Sequence, residues 1–380
     1  MLIKNCKLIY LDKIEEGSVL IEDGKIKEIN PSFENCDNVI DGKGLYLSPG
    51  FIDVHIHGAG GVDTMDGTYD VINTIAKTIA KHGTTSFTPT TMTVAKKDIR
   101  KAISAIKEAK IKGTDGANVL GAHLEGPFIS PKAIGAQNPN FLIEPTIENF
   151  NEMVGEDEDA VVSITMAPEV DGAKELASYL TDKGIVCSIG HTKATYDEAM
   201  NGIKCGFCHS THLFNAMTPF THREPGVVGA IFDSEITTET ISDGIHISYP
   251  SLRTAYKQKG TDKVLLVTDA MMACGMQDGM YSLGGQDVEV KDGAARLLSG
   301  SLAGSVLTLD KAIKNVYNNS SYPLNEVVKM ASYNGAKHCK VEDRKGLIKE
   351  GYDADLVLFD EDINVKMTIV NGNVVYSTLK

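Results

Sequence analysis

The chain has 380 residues, 42% hydrophobic and 23% charged, which is the composition of an ordinary globular protein rather than a disordered or fibrous one. Its formal net charge of −14 argues against nucleic acids and anionic membrane surfaces as partners, and an anionic substrate would need a local basic pocket. No stretch reaches membrane-spanning length, the N-terminal residues lack the apolar core of a signal peptide, and seven scattered cysteines indicate reduced thiols. We therefore expect a cytoplasmic protein.

Both ends of the chain read as short strands separated by turn residues. Asp23-Gly24 divides two alternating segments near the N-terminus, and Asn371-Gly372 does the same near the C-terminus. Both dipeptides are typical of two-residue hairpin turns. Because a few isolated strands are only marginally stable, we expect the two ends to pair. The pattern predicts a small β-sandwich domain made of residues 1–47 and 343–380.

Residues 48–342 alternate between strand-like runs and helical patterns. The strand candidates are Phe51–His57, Thr84–Thr90, Val119–Glu125, Val161–Met166, Val186–His191, Cys208–His212, Ile236–Ser242 and Val264–Asp269. Helical patterns lie between several of them, at Tyr69–His82, Lys97–Lys112, Ala173–Lys183 and Tyr196–Lys204. The last follows a Thr195/Glu198 capping box. Eight strands alternating with helices predict an α/β fold, a (β/α)8 TIM barrel.

Histidines and carboxylates collect at the ends of these predicted strands. In the first strand, His55 and His57 are two residues apart, so their imidazoles face the same side. The candidate residues at the ends of four later strands are Glu125, His191, His212 and Asp269. Each alone has a structural explanation, such as a loop cap, a core histidine or a helix cap. Because the C-terminal ends of barrel strands meet at one rim, the six together predict a metal site there.

Four other histidines are predicted to have structural roles or to lie deeper in the barrel. His209 should face away from His212, and His82 and His338 lie on predicted helices, whereas His123 shares the face of Glu125. Cys205-Gly206-Phe207-Cys208-His209 matches a haem-attachment pattern. Such attachment needs an exported chain, and a zinc site would need further cysteines nearby, so we expect neither.

Several longer motifs resemble one known family. They are, in chain order, Phe51–Gly58, His123-Leu124-Glu125-Gly126-Pro127-Phe128, Gly190-His191-Thr192, Thr211-His212-Leu213-Phe214-Asn215-Ala216-Met217, Arg223-Glu224-Pro225-Gly226, Asp243-Gly244-Ile245-His246, Val267-Thr268-Asp269-Ala270 and the run from Gly346 to Leu356. The chain closely resembles N-acetylglucosamine-6-phosphate deacetylases of the amidohydrolase superfamily over essentially its whole length. His-x-His with a late Asp marks only the superfamily, whereas His-Leu-Glu-Gly-Pro and Thr-His-Leu-Phe-Asn-Ala-Met are far more specific.

The resemblance implies metal-dependent hydrolysis of the acetamide of N-acetyl-D-glucosamine 6-phosphate, in amino-sugar catabolism or recycling. It implies the following roles: Glu125, His191 and His212 for the main divalent metal, His55 and His57 for a second ion, Asp269 as general base and then acid, and Asn215, Ala216, Arg223 and His246 for the sugar phosphate. Zinc or iron is expected, as one or two ions per subunit. Members of the family are usually homodimers in which the neighbouring subunit supplies part of the phosphate site.

One position departs from the pattern of many family members. Gln137 stands where they have a histidine, and glutamine keeps a hydrogen-bond donor but cannot carry charge. We expect Gln137 to contact the substrate.

Other readings stay open at this point. One is a deacetylase for the galactosamine epimer, and another is a ring-opening hydrolase, although those enzymes usually use a carboxylated lysine where this chain has Glu125. A third is a barrel that has lost catalysis and serves as a binding protein; such relatives typically lose metal ligands, and here all six positions are filled.

Overall fold

The computed structural model of the protein describes residues 1–32, 36 and 38–379, and the parts of the predicted small domain at 33–35, 37 and 380 lie outside the described residues. The strands and helices in chain order are β1 (Leu2–Ile9), β2 (Ile14–Glu22), β3 (Lys25–Ile29), β4 (Val39–Asp41), β5 (Tyr46–Pro49), β6 (Phe51–Ile56), β7 (Gly58–Ala59), β8 (Val62–Asp63), α1 (Tyr69–Ala80), β9 (Thr84–Thr91), α2 (Lys96–Lys112), β10 (Asn118–Val119), β11 (Ala122–Glu125), α3 (Ile147–Val154), β12 (Val161–Met166), α4 (Ala173–Asp182), β13 (Val186–Ile189), α5 (Tyr196–Lys204), β14 (Phe207–Ser210), α6 (Gly226–Phe232), β15 (Thr237–Ile241), α7 (Tyr249–Lys259), β16 (Val264–Val267), β17 (Gly279–Leu283), β18 (Gln286–Lys291), β19 (Ala294–Leu297), α8 (Leu309–Asn319), α9 (Leu324–Ala331), α10 (Tyr333–His338), β20 (Leu356–Phe359), β21 (Val365–Val370) and β22 (Asn373–Ser377).

Eight parallel strands of the middle region form a barrel, as predicted. Their order around the barrel is β6, β9, β11, β12, β13, β14, β15, β16, with β10 as a short addition beside β9. The last strand meets the first through residues just beyond β16, where Asp269 N donates to His55 O at 2.8 Å and His57 N donates to Ala270 O at 2.8 Å. The predicted fold class is confirmed.

Helices cover the barrel, and α1 does so with a single apolar face. In α1 the residues Ile72, Ile75 and Ile79 are buried, and their spacing of three and four places them on one side of the helix. The four predicted helices are present within one or two residues of their expected bounds. At the start of α5 the Thr195 hydroxyl accepts from Glu198 N while the Glu198 carboxylate accepts from Thr195 N, which confirms the capping box.

The two ends of the chain pair in one mixed sheet, as predicted. Its strand order is β22-β21-β20-β5-β1-β2-β3, with β4 beside β1. Both predicted hairpin turns have two residues at positive φ, 49° and 75° for Asp23-Gly24 and 47° and 76° for Asn371-Gly372. These values are typical of type I′ turns, whose twist matches that of the strands. The sheet has a hydrophobic cluster of its own, while the domain boundaries at 47/48 and 342/343 stay predictions.

A buried carboxylate links the two ends of the chain. Asp353 is 8% exposed and accepts from Lys25 Nζ at 2.5 Å on one oxygen and from Arg344 Nη1 at 2.6 Å on the other. Lys345, itself buried, lies 3.0 Å from the same carboxylate. An N-terminal strand and the C-terminal segment are therefore joined by charge as well as by backbone pairing.

A three-stranded antiparallel sheet, β17–β19, follows the last barrel strand and was not predicted. It packs against Met92 and Met271, which lie just beyond two barrel strands on the side where the predicted site residues lie. The Asp292-Gly293 turn between β18 and β19, at φ 51° and 78°, is the sequence signal that could have revealed it. Among the described residues, no helix is both long and apolar enough to cross a membrane.

Candidate active site

The carboxylate of Glu125, at the end of β11, is surrounded by the four predicted imidazole ligands. Its Oε1 lies 3.0 Å from His212 Nε2, 3.2 Å from His191 Nε2 and 3.4 Å from His55 Nε2. Its Oε2 lies 3.2 Å from His57 Nε2. Asp269 Oδ1 lies 3.2 Å and 3.5 Å from the Nε2 atoms of His57 and His55. The six predicted residues therefore form one buried cluster.

Three of these residues lie just past their strands in left-handed backbone. His191, His212 and Asp269 each follow the last strand residue by two positions, with φ of 47°, 30° and 49°. Non-glycine residues in this region cost about 1–3 kcal/mol each and collect at functional sites. The alternation of side chains along an extended strand therefore does not apply to these three residues.

The protonation of three imidazoles follows from the partners of their far nitrogens. The Nδ1 atoms of His55, His57 and His191 lie 2.9 Å from Glu239 Oε2, 3.3 Å from Thr90 O and 3.0 Å from Ala133 O. These partners accept hydrogen bonds, so each Nδ1 carries the proton and, in the neutral imidazole, each Nε2 presents a lone pair to Glu125. Among the described residues, no contact of His55 Nε2 has hydrogen-bond geometry, although the carboxylates of Glu125 and Asp269 lie 3.4 Å and 3.5 Å away. Because lone pairs directed at an ionised carboxylate repel it, a proton or a metal ion must lie between each imidazole and Glu125.

Electrostatics of the metal-free cluster support the same requirement. Burial lowers the pKa of His57, but the hydrogen bonds and charges of Asp269 and Glu125 raise it to about 9. Burial raises the pKa of Asp269, yet His55 and His57 hold it below its usual value, so this carboxylate is ionised. By contrast, burial lowers the pKa of His123, deeper in the barrel, to about 3, so it stays neutral. The rim is thus a site of negative carboxylates that protons or metal ions must balance.

The donor set fits divalent metals. His55, His57 and Glu125 form one group of potential ligands and Glu125, His191 and His212 form another, with the ligand atoms of each group within 4.8 Å of one another. A third group of potential ligands consists of His55, His123 and Glu239. Imidazole and carboxylate ligands suit zinc, iron, manganese and cobalt. The first two groups share Glu125.

A cleft of about 280 Å³ opens on this cluster. It is lined by His57, Met92, Glu125, Gly135, Ala136, Gln137, His191, His212, Asn215, Ala216, His246, Asp269, Leu283, Leu302 and Gly304. His246 is held by Asp243, which accepts from His246 Nδ1 at 2.7 Å and from the backbone N–H groups of Ile245 and His246 at 2.8 Å each. Of the predicted substrate contacts, Gln137, Asn215, Ala216 and His246 therefore line the cleft.

Gln137 and Arg223 have surroundings that the sequence did not reveal. Gln137 Nε2 donates to Glu125 Oε2 at 2.6 Å, and its Oε1 accepts from Thr93 N at 2.7 Å, so the amide holds the central carboxylate. Arg223 is exposed, contacts His222 Nε2 at 2.7 Å and does not line the cleft of its own chain.

Comparison with known proteins assigns the family. The model of the amidohydrolase family matches residues 46–375. The chain belongs to the amidohydrolase family. This family is metal-dependent, in agreement with the histidine and glutamate cluster.

Among its relatives, this amidohydrolase is 38% identical to the N-acetylglucosamine-6-phosphate deacetylase of Lysinibacillus sphaericus, covering 98% of this chain and 97% of that protein. It is 33% identical to an N-acetylgalactosamine-6-phosphate deacetylase of Escherichia coli O157:H7, covering 94% of each. It matches the crystal structure of an N-acetylglucosamine-6-phosphate deacetylase from Pasteurella multocida with a TM-score of 0.93, at 33% identity and 98% coverage of both chains. It also matches the structure of a variant of the N-acetyl-D-glucosamine-6-phosphate deacetylase from Mycobacterium smegmatis in complex with N-acetyl-D-glucosamine-6-phosphate. The TM-score is 0.92 at 29% identity, and 99% of both chains are covered.

Two buried carboxylates of the amidohydrolase barrel were missed by sequence reasoning. Asp53 on β6 accepts from the Thr268 hydroxyl at 2.6 Å and so holds the residue that precedes Asp269. Glu239 on β15 is 1% exposed and contacts His55. The available signal was an acidic residue inside a run of β-branched residues, Thr237-Thr238-Glu239-Thr240-Ile241, where only a paired carboxylate is tolerated.

The remaining histidines contact protein groups away from the cleft. His209 lies between Thr237 Oγ1 and Glu239 Oε1 and packs on His338, with ring centroids 4.4 Å apart. His82 pairs with Asp310 at 3.1 Å. All seven cysteines are free thiols, so Cys205 and Cys208 are unbridged.

Proposed function

We propose that this amidohydrolase removes the acetyl group of N-acetyl-D-glucosamine 6-phosphate, giving acetate and D-glucosamine 6-phosphate in amino-sugar metabolism. The observation that carries the proposal is the cluster of four imidazole Nε2 atoms and Asp269 around Glu125, at the bottom of a cleft that Asn215, Ala216 and His246 also line. Deacetylases with this substrate are similar to the chain over nearly its whole length.

Glu125, His191 and His212 would hold the main divalent metal, and His55, His57 and the same Glu125 would hold a second ion. The convergence of their Nε2 atoms on one carboxylate supports this assignment, and zinc or iron suits the ligand set. Such a metal, when bound, polarises an amide carbonyl and lowers the pKa of a water molecule to about 7.

Asp269 is the acid and base of the reaction. Its carboxylate lies beside the cluster, is ionised in the folded chain and faces the cleft. It accepts a proton from the attacking water and returns that proton to the sugar nitrogen, because an amine leaves only when it is protonated. Gln137 donates to Glu125 Oε2 and lines the same cleft, where it would border the acetamido group.

The phosphate of the substrate binds at the side of the cleft formed by Asn215, Ala216 and His246. Phe214 and Ala216 adopt φ of 76° and 51°, the alternating left-handed backbone found in anion-binding nests. Asp243 accepts from His246 Nδ1 and leaves its Nε2 to the ligand. In a chain of net charge −14, such directed groups are what an anionic substrate needs.

Arg223 completes the phosphate site of a neighbouring subunit in a homodimer. It is exposed and lies outside the cleft lining of its own chain, which supports a role across an interface. A guanidinium can bind a phosphate through two hydrogen bonds at once.

A second candidate substrate is N-acetyl-D-galactosamine 6-phosphate, favoured by the 33% identity to a deacetylase of that sugar. Ring-opening hydrolysis is disfavoured, because the carboxylate among the imidazoles is Glu125 and no lysine lines the described cleft.

The test measures acetate release by metal-loaded protein from N-acetylglucosamine 6-phosphate, its galactosamine epimer and unphosphorylated N-acetylglucosamine. We expect a strong preference for the first. Equal rates with and without the phosphate would refute the phosphate site, and no acetate from any of the three would refute the deacetylase assignment. Asp269→Asn should reduce kcat by at least about a hundredfold while leaving metal content largely intact; unchanged turnover would refute the role of Asp269.

Shared sites have their own test. Arg223→Ala and Asp269→Asn are each expected to be nearly inactive, whereas a co-expressed mixture should regain part of the activity, since a mixed dimer holds one site with both native residues. A mixture as inactive as its parents would refute the contribution of Arg223 across subunits.

A further inference from the structure

A single buried carboxylate oxygen contacts both halves of the proposed metal centre. Glu239 Oε2 accepts from His55 Nδ1 at 2.9 Å and from the backbone N–H of His212 at 3.0 Å. His55 belongs to one group of potential metal ligands and His212 to the other. The backbone of Glu239 adds a further contact, because its carbonyl accepts from Leu213 N at 3.0 Å. Glu239 therefore fixes the start of the loop that carries His212.

The other carboxylate oxygen of Glu239, Oε1, contacts His209. This oxygen lies 3.3 Å from His209 Nε2, while His209 Nδ1 lies 2.6 Å from Thr237 Oγ1. The His209 ring in turn packs edge-on against His338. Glu239 is 1% exposed, so its orientation is set by these partners rather than by water. A carboxylate fixed in this way can hold both His55 and the backbone of His212 in place.

We propose that Glu239 is a positioning residue that keeps the Nδ1–H tautomer of His55 and couples the placement of His55 to that of His212. A histidine that binds metal through one nitrogen commonly donates its other N–H to a carboxylate, and loss of that partner typically costs 10- to 100-fold in metal affinity. What distinguishes Glu239 is that the same oxygen also holds the backbone of a second ligand. The inference rests on the metal centre of the proposed function but not on its substrate, so a failed deacetylation assay leaves it standing.

The experiment measures zinc affinity of chelator-stripped protein by competition with a chromophoric chelator, together with thermal stability. Glu239→Leu removes both acceptors, and Glu239→Gln keeps one acceptor oxygen while removing the charge. Thr238→Val is the matched control: it is the neighbouring buried residue on β15, and it loses only the hydrogen bond from Ser210 at 2.6 Å on the other face of the strand. We expect zinc affinity to fall about 10- to 100-fold in Glu239→Leu, less in Glu239→Gln, and less than threefold in Thr238→Val.

Two outcomes would overturn the proposal. One is zinc affinity in Glu239→Leu within threefold of the wild type, and the other is an equal loss in Thr238→Val, which would assign the effect to strand stability alone. Should Glu239→Leu fail to fold, Glu239→Gln still decides through its zinc affinity, because it removes the charge that faces His55 Nδ1. Zinc affinity of a folded Glu239→Gln protein equal to that of the wild type would refute the role.

The coupling between the two halves is tested in a His55→Ala background. Because Glu239 also holds the His212 backbone, adding Glu239→Leu to His55→Ala should lower zinc affinity further. Equal affinities for the single and double variants would show that Glu239 acts through His55 alone and would overturn the coupling.

Discussion

The apolar wall of the cleft should set the size of the acyl group that is removed. Met92 follows the second barrel strand, is 1% exposed and shares a hydrophobic cluster with Leu283, and Leu302 also lines the cleft. Asn215 and Ala216 follow the sixth strand, which is opposite the second in an eight-stranded barrel. If the proposed metal centre holds the carbonyl and the sugar phosphate binds on the Asn215 side, we expect the acyl methyl group to point toward Met92.

Met92 has little room to move away from a longer acyl chain. Its Sδ lies 3.7 Å from Gln137 Nε2, and a Cβ placed on Gly284 would lie 3.0 Å from Met92 Cε. Met92→Ala removes the side chain beyond Cβ and leaves space for the two extra methylene groups of an N-butyryl substrate. At about 0.8 kcal/mol per buried methylene, their burial is worth about 1.6 kcal/mol, or roughly 15-fold in kcat/KM. Relief of overpacking, typically about 1–3 kcal/mol, adds to this change.

The assay compares kcat/KM for N-acetyl, N-propionyl and N-butyryl glucosamine 6-phosphate. We expect Met92→Ala to shift the butyryl-to-acetyl ratio by at least about 15-fold, mostly through better turnover of the longer substrate. Met271→Ala is the control, since Met271 is buried in the same hydrophobic cluster but does not line the cleft. It should change all three substrates alike. An unchanged ratio in Met92→Ala, or the same shift in Met271→Ala, would refute the placement of the acyl group.

Two further predictions concern stability and the central carboxylate. Burial raises the pKa of Asp353, but Lys25, Lys345 and Arg344 lower it to about 2, against an ordinary value of 3.8. The ionised form of Asp353 therefore stabilises the folded state by at most about 2 kcal/mol, and by about 1 kcal/mol after solvent screening. This contribution to stability is complete above pH 3.8 and is lost as the pH falls toward 2. Urea unfolding should therefore show that Asp353→Asn is less stable than the wild type at pH 6 and that the difference in the free energy of unfolding shrinks below pH 4. A difference that does not depend on pH would contradict the charge argument. Gln137→Leu removes the hydrogen-bond donor to Glu125 Oε2. We expect steady-state kinetics to show a fall in kcat of about tenfold or more, while metal analysis shows that the zinc content is unchanged. An unchanged kcat would mean that Gln137 has a packing role only.

Local chemistry explains how much of the fold could be predicted. Asp23-Gly24 and Asn371-Gly372 predict turns because both positions of a type I′ turn need positive φ, and both do have it. The strands of the barrel were recognised because parallel strands buried on both faces read as continuous apolar or β-branched runs. Their alternation with helices then fixed the rim on which Glu125 and the histidines meet.

The features that could not be predicted depend on contacts between residues that are not neighbours in the chain. The partner of Gln137 is Glu125, twelve residues away across a loop, and no local pattern relates an amide there to that carboxylate. The exposure of Arg223 depends on how the Asn215–Gly226 segment leaves the barrel, which its motif does not encode. The left-handed φ of His191, His212 and Asp269 is also invisible, since strand periodicity assumes extended backbone to the end of the run.

Glu239 illustrates the general reason for this division. Ligands at strand ends are recognisable because topology alone brings them together, whatever the details of packing. The residues that orient those ligands lie one layer deeper, where their side chains meet only after eight strands have closed into a barrel. Glu239 is 184 residues from His55 in the chain and 27 from His212, yet one oxygen contacts both. A carboxylate buried inside a barrel strand costs several kcal/mol unless it is paired, so its presence in the sequence already implies unseen partners. In other barrels too, an acidic residue among β-branched neighbours therefore predicts a buried, paired carboxylate. Only the structure identifies the partners of that carboxylate.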